Sequence, residues 1–257
     1  MYSAMASATL GHRAIRLSVV LVLVYLVVLV GVFFCQRSLL YFPRQGEPVT
    51  RLEPWVEGER RIGFRREVEG PGAVWLMLHG NAGQAAEWDY VLGRMSDRDS
   101  LYVLEYPGYG GREGQPCLES INEAASEAFR ILRARNSRVQ VCVLGESLGS
   151  GPACHLARED RPPDKITLVV PFDSVASVAA RRFFFLPVRP LLWDAWDNVE
   201  TLQGYGGPVD IYGATQDTVI PIEHARALAG QVAGARFMPF DGGHNAWARS
   251  EQVRIGR

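Results

Sequence analysis

The sequence predicts an α/β domain built on a mostly parallel, doubly wound sheet, standing behind one transmembrane helix. Two observations predict the sheet. Apolar runs recur at Ala73–Leu78, Leu101–Glu105, Ile166–Val170, Pro208–Gly213 and Arg236–Phe240, and another opens the stretch Val139–Gly151. Helix-period segments lie between several of them, as at Leu118–Arg135, where Ile121, Ala124, Ala125, Ala128, Phe129 and Leu132 share one face. Strands alternating with helices at this spacing give parallel pairing with both sheet faces covered. The third observation, Leu17–Phe34 (LSVVLVLVYLVVLVGVFF), predicts the membrane helix. No charge follows it before Arg37, and about 20 such residues span a bilayer's hydrocarbon core of roughly 30 Å.

The expected organisation is a short basic tail over residues 1–16, an anchor over 17–36 and one domain over 37–257. The apolar run is longer than a signal-peptide core and has no small-x-small cleavage site after it, so an uncleaved anchor is expected. Arg13 and Arg16 precede the span and Arg37, Arg44 and Arg51 follow it, which nearly balances the positive-inside count. The short basic tail tips the expectation toward a non-cytoplasmic domain. Lys165 is the only lysine, an arginine bias that points to a GC-rich bacterial genome and hence an inner membrane. Ser38–Pro54 reads as a proline-containing connector, Arg60–Val68 as a weak strand, and Trp88–Arg94, Leu148–Arg158 and Ile222–Val232 as helices.

Of the 257 residues 47% are hydrophobic and the net charge is −1, which excludes nucleic-acid electrostatics. The four cysteines, at 35, 117, 142 and 154, have no zinc-ligand spacing. No metal, cofactor or required disulfide is expected, and oligomeric state is not legible.

Val139–Gly151 reads VQVCVLGESLGSG, a buried strand running into Gly-x-Ser-x-Gly and then a helix. In that context the turn strains the serine backbone and exposes Ser147 above the sheet, with the flanking glycines making room for strand and helix. Serine needs a base. Among the five histidines, His244 lies in the glycine-rich Asp241–Asn245 loop after the last strand, where it can approach Ser147. An acid must then orient the imidazole. Asp217, after the Val209–Gly213 strand in GATQDTVIP, is favoured; Asp173, in PFDS, is the competitor, and a turn role is open to Asp217. The oxyanion hole is expected from the N–H groups of Leu148, after the nucleophile, and Asn81, in the HGNAG loop that follows the Ala73–Leu78 strand.

Residues 174–207 break the strand–helix alternation and are too apolar for a solvated loop. They are expected either to pack on the sheet edge or to form a small cap facing the membrane. In the cap reading Phe183, Phe184, Leu186 and Trp193 line an acyl pocket.

His79–Gly83 (HGNAG), Tyr106–Gly110 (YPGYG), Gly145–Gly151 (GESLGSG), Asp217 in DTVIP and Gly243-His244 together resemble the α/β-hydrolase superfamily. Within it they are similar to serine hydrolases with an N-terminal span followed by an LLYFP segment, here Leu39–Pro43. The resemblance covers roughly residues 37–250. It implies the α/β-hydrolase fold with a short cap insertion, Ser147 as nucleophile, Asp217 as acid, His244 as base, and Asn81 with Leu148 as oxyanion donors. It implies an esterase, thioesterase or lipase acting on a small-molecule or lipid-like acyl substrate. A peptidase, an acyltransferase or a catalytically silent membrane-anchored interaction protein of the same fold are the alternatives.

Overall fold

The computed structural model describes residues 2–46 and 49–256; Met1 of the expected tail, Glu47 and Pro48 of the connector and Arg257 lie outside the described residues. The chain opens with one continuous helix, α1 (Tyr2–Leu40), which extends beyond 17–36 at both ends. Its Ile15–Leu40 segment, 26 residues, is long and apolar enough to cross a membrane. At 1.5 Å per residue it is about 39 Å long, more than the roughly 30 Å of a hydrocarbon core.

Eight strands follow: β1 (Glu53–Glu57), β2 (Arg60–Arg66), β3 (Ala73–Leu78), β4 (Ser100–Leu104), β5 (Gln140–Glu146), β6 (Ile166–Val169), β7 (Val209–Ala214) and β8 (Arg236–Phe240). They form one sheet in the order β1-β2-β4-β3-β5-β6-β7-β8, parallel from β4 to β8 with β1 and β2 antiparallel at one edge. The strand period of two explains why β3 is apolar throughout. Val74, Leu76 and Leu78 face one apolar core, shared with α2 (Leu118–Arg135), α3 (Ser150–His155) and α7 (Ile222–Gln231). Ala73, Trp75 and Met77 face another, closed by the 3₁₀ segment Ala85–Arg94 and by Trp247.

Three elements differ from the sequence expectation. β1 occupies the end of the expected connector; it is a bulged edge strand with only Trp55 buried, too short to show alternation. The expected helix Trp88–Arg94 is a 3₁₀ segment kinked at Trp88. Leu148–Arg158 is not one helix but a 3₁₀ turn (Ser147–Gly149), α3, and a second 3₁₀ turn (Leu156–Arg158).

The insertion carries α4 (Val175–Arg182), α5 (Val188–Leu191) and α6 (Asn198–Thr201). A bridge between Ser174 and Asp197 closes its base, with Val175 N–H donating to the Trp196 carbonyl at 2.9 Å. Trp196 is buried against Gly151, where an added Cβ would stand 2.7 Å from the indole. The rest leans on the end of α1. Arg37 and the Tyr41 hydroxyl both donate to the buried Asp194, at 3.1 and 2.9 Å. Gln36 donates to the Leu191 carbonyl at 2.9 Å and accepts from Trp193 N–H at 2.8 Å. One insertion thus packs on α3 through Trp196 and on α1 through Asp194 and Leu191.

Candidate active site

Ser147 follows the last residue of β5 and has φ 50°, a left-handed conformation costing a non-glycine residue about 1–3 kcal/mol. The turn is pressed against the end of β3, and β5 against α3. A Cβ on Gly149 would lie 2.0 Å from the Leu78 carbonyl oxygen, and one on Gly145 would lie 2.6 Å from Ala153 Cβ. Beneath the elbow the buried Glu146 carboxylate accepts from the indoles of Trp88 and Trp247 and from the Tyr90 hydroxyl. Burial, with Glu146 adding to it, pushes the Tyr90 hydroxyl well above its usual pKa, so it stays a donor. Glu146 occupies a variable position of the motif, and nothing local in the sequence pointed to it.

Asp217 lies in the turn after β7, where its Oδ1 accepts the N–H groups of Val219 and Ile220, both at 2.8 Å. That turn role leaves Oδ2 free to meet His244 Nδ1 at 2.7 Å. His244 Nε2 is 2.9 Å from Ser147 Oγ. With Nδ1–H donating to Asp217, Nε2 is left to accept the serine hydroxyl proton, the one neutral tautomer that satisfies both contacts. Asp173 pairs instead with a different histidine, His224, at 2.8 Å from Nδ1. Burial would raise the Asp173 carboxyl, but the His224 bond and the Ser174 N–H together hold it below the usual carboxylate range.

Asn81 and Leu148 stand with Ser147 in the wall of a cavity of about 610 Å³. That volume falls within the range of small-molecule sites. The Asn81 side chain does work of its own. Its Oδ1 accepts from Phe42 N–H at 3.0 Å, Ala82 N–H at 2.9 Å and the Tyr109 hydroxyl at 2.8 Å, while Nδ2 donates to the Leu40 carbonyl. The HGNAG loop is thereby latched to the exit of α1.

Of the four insertion residues expected to line the pocket, only Phe183 does. Phe184 is 85% exposed and lies outside the lining. Trp193 packs edge-on against Phe33 of α1, with Arg37 over its ring at 5.4 Å. Leu186 lines a neighbouring apolar cavity of about 290 Å³. Hydrophobicity marks all four for burial or lipid but does not say against which surface. The cavity at Ser147 is walled instead by Leu39, Leu40 and Phe42 from α1 and its exit, and has polar groups from Arg181, Arg182, Thr218 and His224. Among the described residues, buried His224 Nε2 has no hydrogen-bond partner. His224 carried no signal beyond its place in the expected helix Ile222–Val232, and the α1 wall had none in the local pattern.

No family model matches the chain. It is 30% identical to uncharacterized protein Rv2307c of Mycobacterium tuberculosis over 253 residues, covering 91% of this chain and 89% of that one. It is 27% identical to lysophosphatidylserine lipase ABHD12 of Mus musculus over 213 residues, covering 72% of this chain and 54% of the lipase. The chain therefore spans about half the length of that lipase. Among solved structures, a hydrolase of Pseudomonas aeruginosa superposes with a TM-score of 0.60 at 16% identity, over 80% of this chain and 96% of that one. The esterase Pf2001 of Pyrococcus furiosus superposes with a TM-score of 0.59 at 12% identity, over 80% of this chain and 89% of that one.

Proposed function

The chain belongs to the α/β-hydrolase superfamily, and from that premise we propose that it is a membrane-anchored serine hydrolase cleaving carboxylic ester or thioester bonds of lipid-like acyl substrates. The observation that carries the reading is the hydrogen-bonded series from Ser147 Oγ through His244 to Asp217, at 2.9 and 2.7 Å. In this reading Ser147 Oγ attacks the acyl carbonyl while His244 Nε2 takes its proton. The oxyanion is received by the N–H groups of Leu148 and Asn81. Imidazolium then returns the proton to the departing alkoxide or thiolate, leaving an acyl-serine. Water, deprotonated by His244, adds to that acyl group; the acyl–Oγ bond then breaks, the imidazolium returns the proton to Ser147 Oγ, and the carboxylic acid leaves. Asp217 stays ionised and steadies the imidazolium.

The lining of the Ser147 cavity supports the substrate class. Leu39, Leu40, Phe42, Phe172 and Val175 suit an acyl chain, and Arg181 and Arg182 add positive charge. That combination fits a single-chain lipid whose leaving portion bears a phosphate, in keeping with the lysophosphatidylserine lipase to which the chain is similar. The test uses the purified full chain in detergent micelles. Ser147→Ala is expected to abolish both p-nitrophenyl ester turnover and labelling by a fluorophosphonate. Unchanged turnover in that variant removes Ser147 from the reaction.

A further inference from the structure

The second cavity, of about 290 Å³, lies between the end of α1 and the cap, and its walls are almost entirely carbon. Val32 and Leu40 come from α1; Leu186, Val188, Leu191 and Leu192 come from the cap. The polar residues at its edge are Gln36, Arg37 and Asp194, and they are occupied with one another's elements. Gln36 bonds the Phe33 and Leu191 carbonyls and Trp193 N–H, and Arg37 bonds Asp194. The cavity thus presents apolar surface to whatever enters it.

It adjoins the Ser147 cavity. Leu39, Leu40, Val175, Ala179 and Phe183 line both, so these five residues form the boundary between the space at Ser147 and the space against α1. The outer end of this space lies along the apolar part of α1. The Tyr25 hydroxyl donates to the Phe185 carbonyl at 2.8 Å, which sets the cap tip beside a point about 22 Å up the helix from Leu40. Phe184 and Phe185 are 85% and 55% exposed there. Backbone placed at membrane depth must have its polar groups satisfied within the protein. The Phe185 carbonyl bonds Tyr25, Phe183 N–H bonds the Ala179 carbonyl, and Leu186 N–H bonds the Phe183 carbonyl.

We propose that α1 is a wall of the substrate site as well as an anchor: the cavity between α1 and the cap is the acyl-chain chamber, and it takes a long acyl chain sideways from the bilayer to Ser147. The proposal rests on the ester-hydrolase reading and adds where the chain goes and whence it comes. Asn81 is the coupling point, since its side chain ties the Leu40–Phe42 exit of α1 to the loop beside Ser147. Withdrawal of α1 from the cap would open the chamber and loosen that loop together.

The full chain in phosphatidylcholine nanodiscs tests this with two measurements. A long-chain alkyl fluorophosphonate with a terminal diazirine is bound to Ser147 and photolysed. Crosslinks are expected in the peptides covering residues 32–40 and 186–192. Crosslinks confined to residues 218–221, or to lipid alone, overturn the chamber while leaving the hydrolase reading intact. No phosphonate on Ser147 overturns the hydrolase reading and the chamber with it. The second measurement is the ratio of p-nitrophenyl palmitate to p-nitrophenyl acetate turnover. Leu186→Trp, which fills the chamber, is expected to lower that ratio by about 10-fold or more, because several methylenes lose their apolar site. An unchanged ratio overturns the proposal.

Discussion

Two histidine–aspartate pairs stand in or beside the Ser147 cavity, and locally they are close copies. In each, an imidazole Nδ1 meets a carboxylate at hydrogen-bond distance, 2.7 Å for His244–Asp217 and 2.8 Å for His224–Asp173. In each, the aspartate follows a parallel strand, β7 for Asp217 and β6 for Asp173. The difference is at the other nitrogen. His244 Nε2 meets Ser147 Oγ, and buried His224 Nε2 meets no partner among the described residues. An oriented imidazole is therefore not enough to identify a base; what distinguishes one is the nucleophile at its far side. His244 sits on a loop after β8 that can reach over the sheet end, whereas His224 is fixed within α7.

The largest effect that would break this contrast concerns the serine side. Ser147→Ala and His244→Ala are each expected to lower kcat by about 10⁶-fold, with the double variant little worse, as for groups acting as a unit. Stopped assays on a p-nitrophenyl ester measure it; a loss of similar size in His224→Gln would erase the distinction between the pairs. Next comes Asp217→Asn, expected to cost about 10⁴-fold in kcat by favouring the wrong imidazole tautomer. Asp173→Asn under the same assay should leave kcat on a neutral ester within a few-fold of the parent.

A smaller effect sharpens the role of the second pair. His224→Gln is expected to change KM by no more than a few-fold on a lysophospholipid and on an uncharged ester alike, because with Nδ1–H given to Asp173 the buried Nε2 has no proton to donate to a phosphate, and a KM rise confined to the lysophospholipid overturns this. Equal changes on both substrates would assign His224 to packing alone. The smallest is in stability. By replacing a charged acceptor with a neutral one, Asp173→Asn should cost about 1 kcal/mol near neutral pH, read by chemical denaturation. Because the folded Asp173 carboxyl is held low, its contribution is present above the unfolded value of about 3.9. It is lost as the pH falls through the folded value. Parent and variant should converge in acid, and a gap that widens there contradicts the sign.

Much of this was readable in the chain because the relevant signals are local and ordered. The elbow is a five-residue pattern whose glycines are required by contacts of 2.0 and 2.6 Å that any side chain would violate. His244 and Asp217 were readable because each follows a strand of a parallel sheet, whose carboxyl ends converge on one edge. The pocket was not readable in the same way. Phe183, Phe184, Leu186 and Trp193 are alike in hydropathy, yet Phe183 lines both cavities, Phe184 lies on the exposed cap tip, Leu186 lines the smaller cavity and Trp193 packs on Phe33.

By itself the sequence determined the strand–helix alternation, the apolar helix and the places of Ser147, Asp217 and His244 after successive strands, since periodicity and turn chemistry act within a few residues. Tertiary structure alone decided that Asp173 goes to His224, that Glu146 braces the elbow from beneath, and that α1 walls the cavity. Those contacts join residues far apart in the chain, as Arg37 and Asp194 are. Which partner wins depends on the packing of whole elements, a quantity no local window carries.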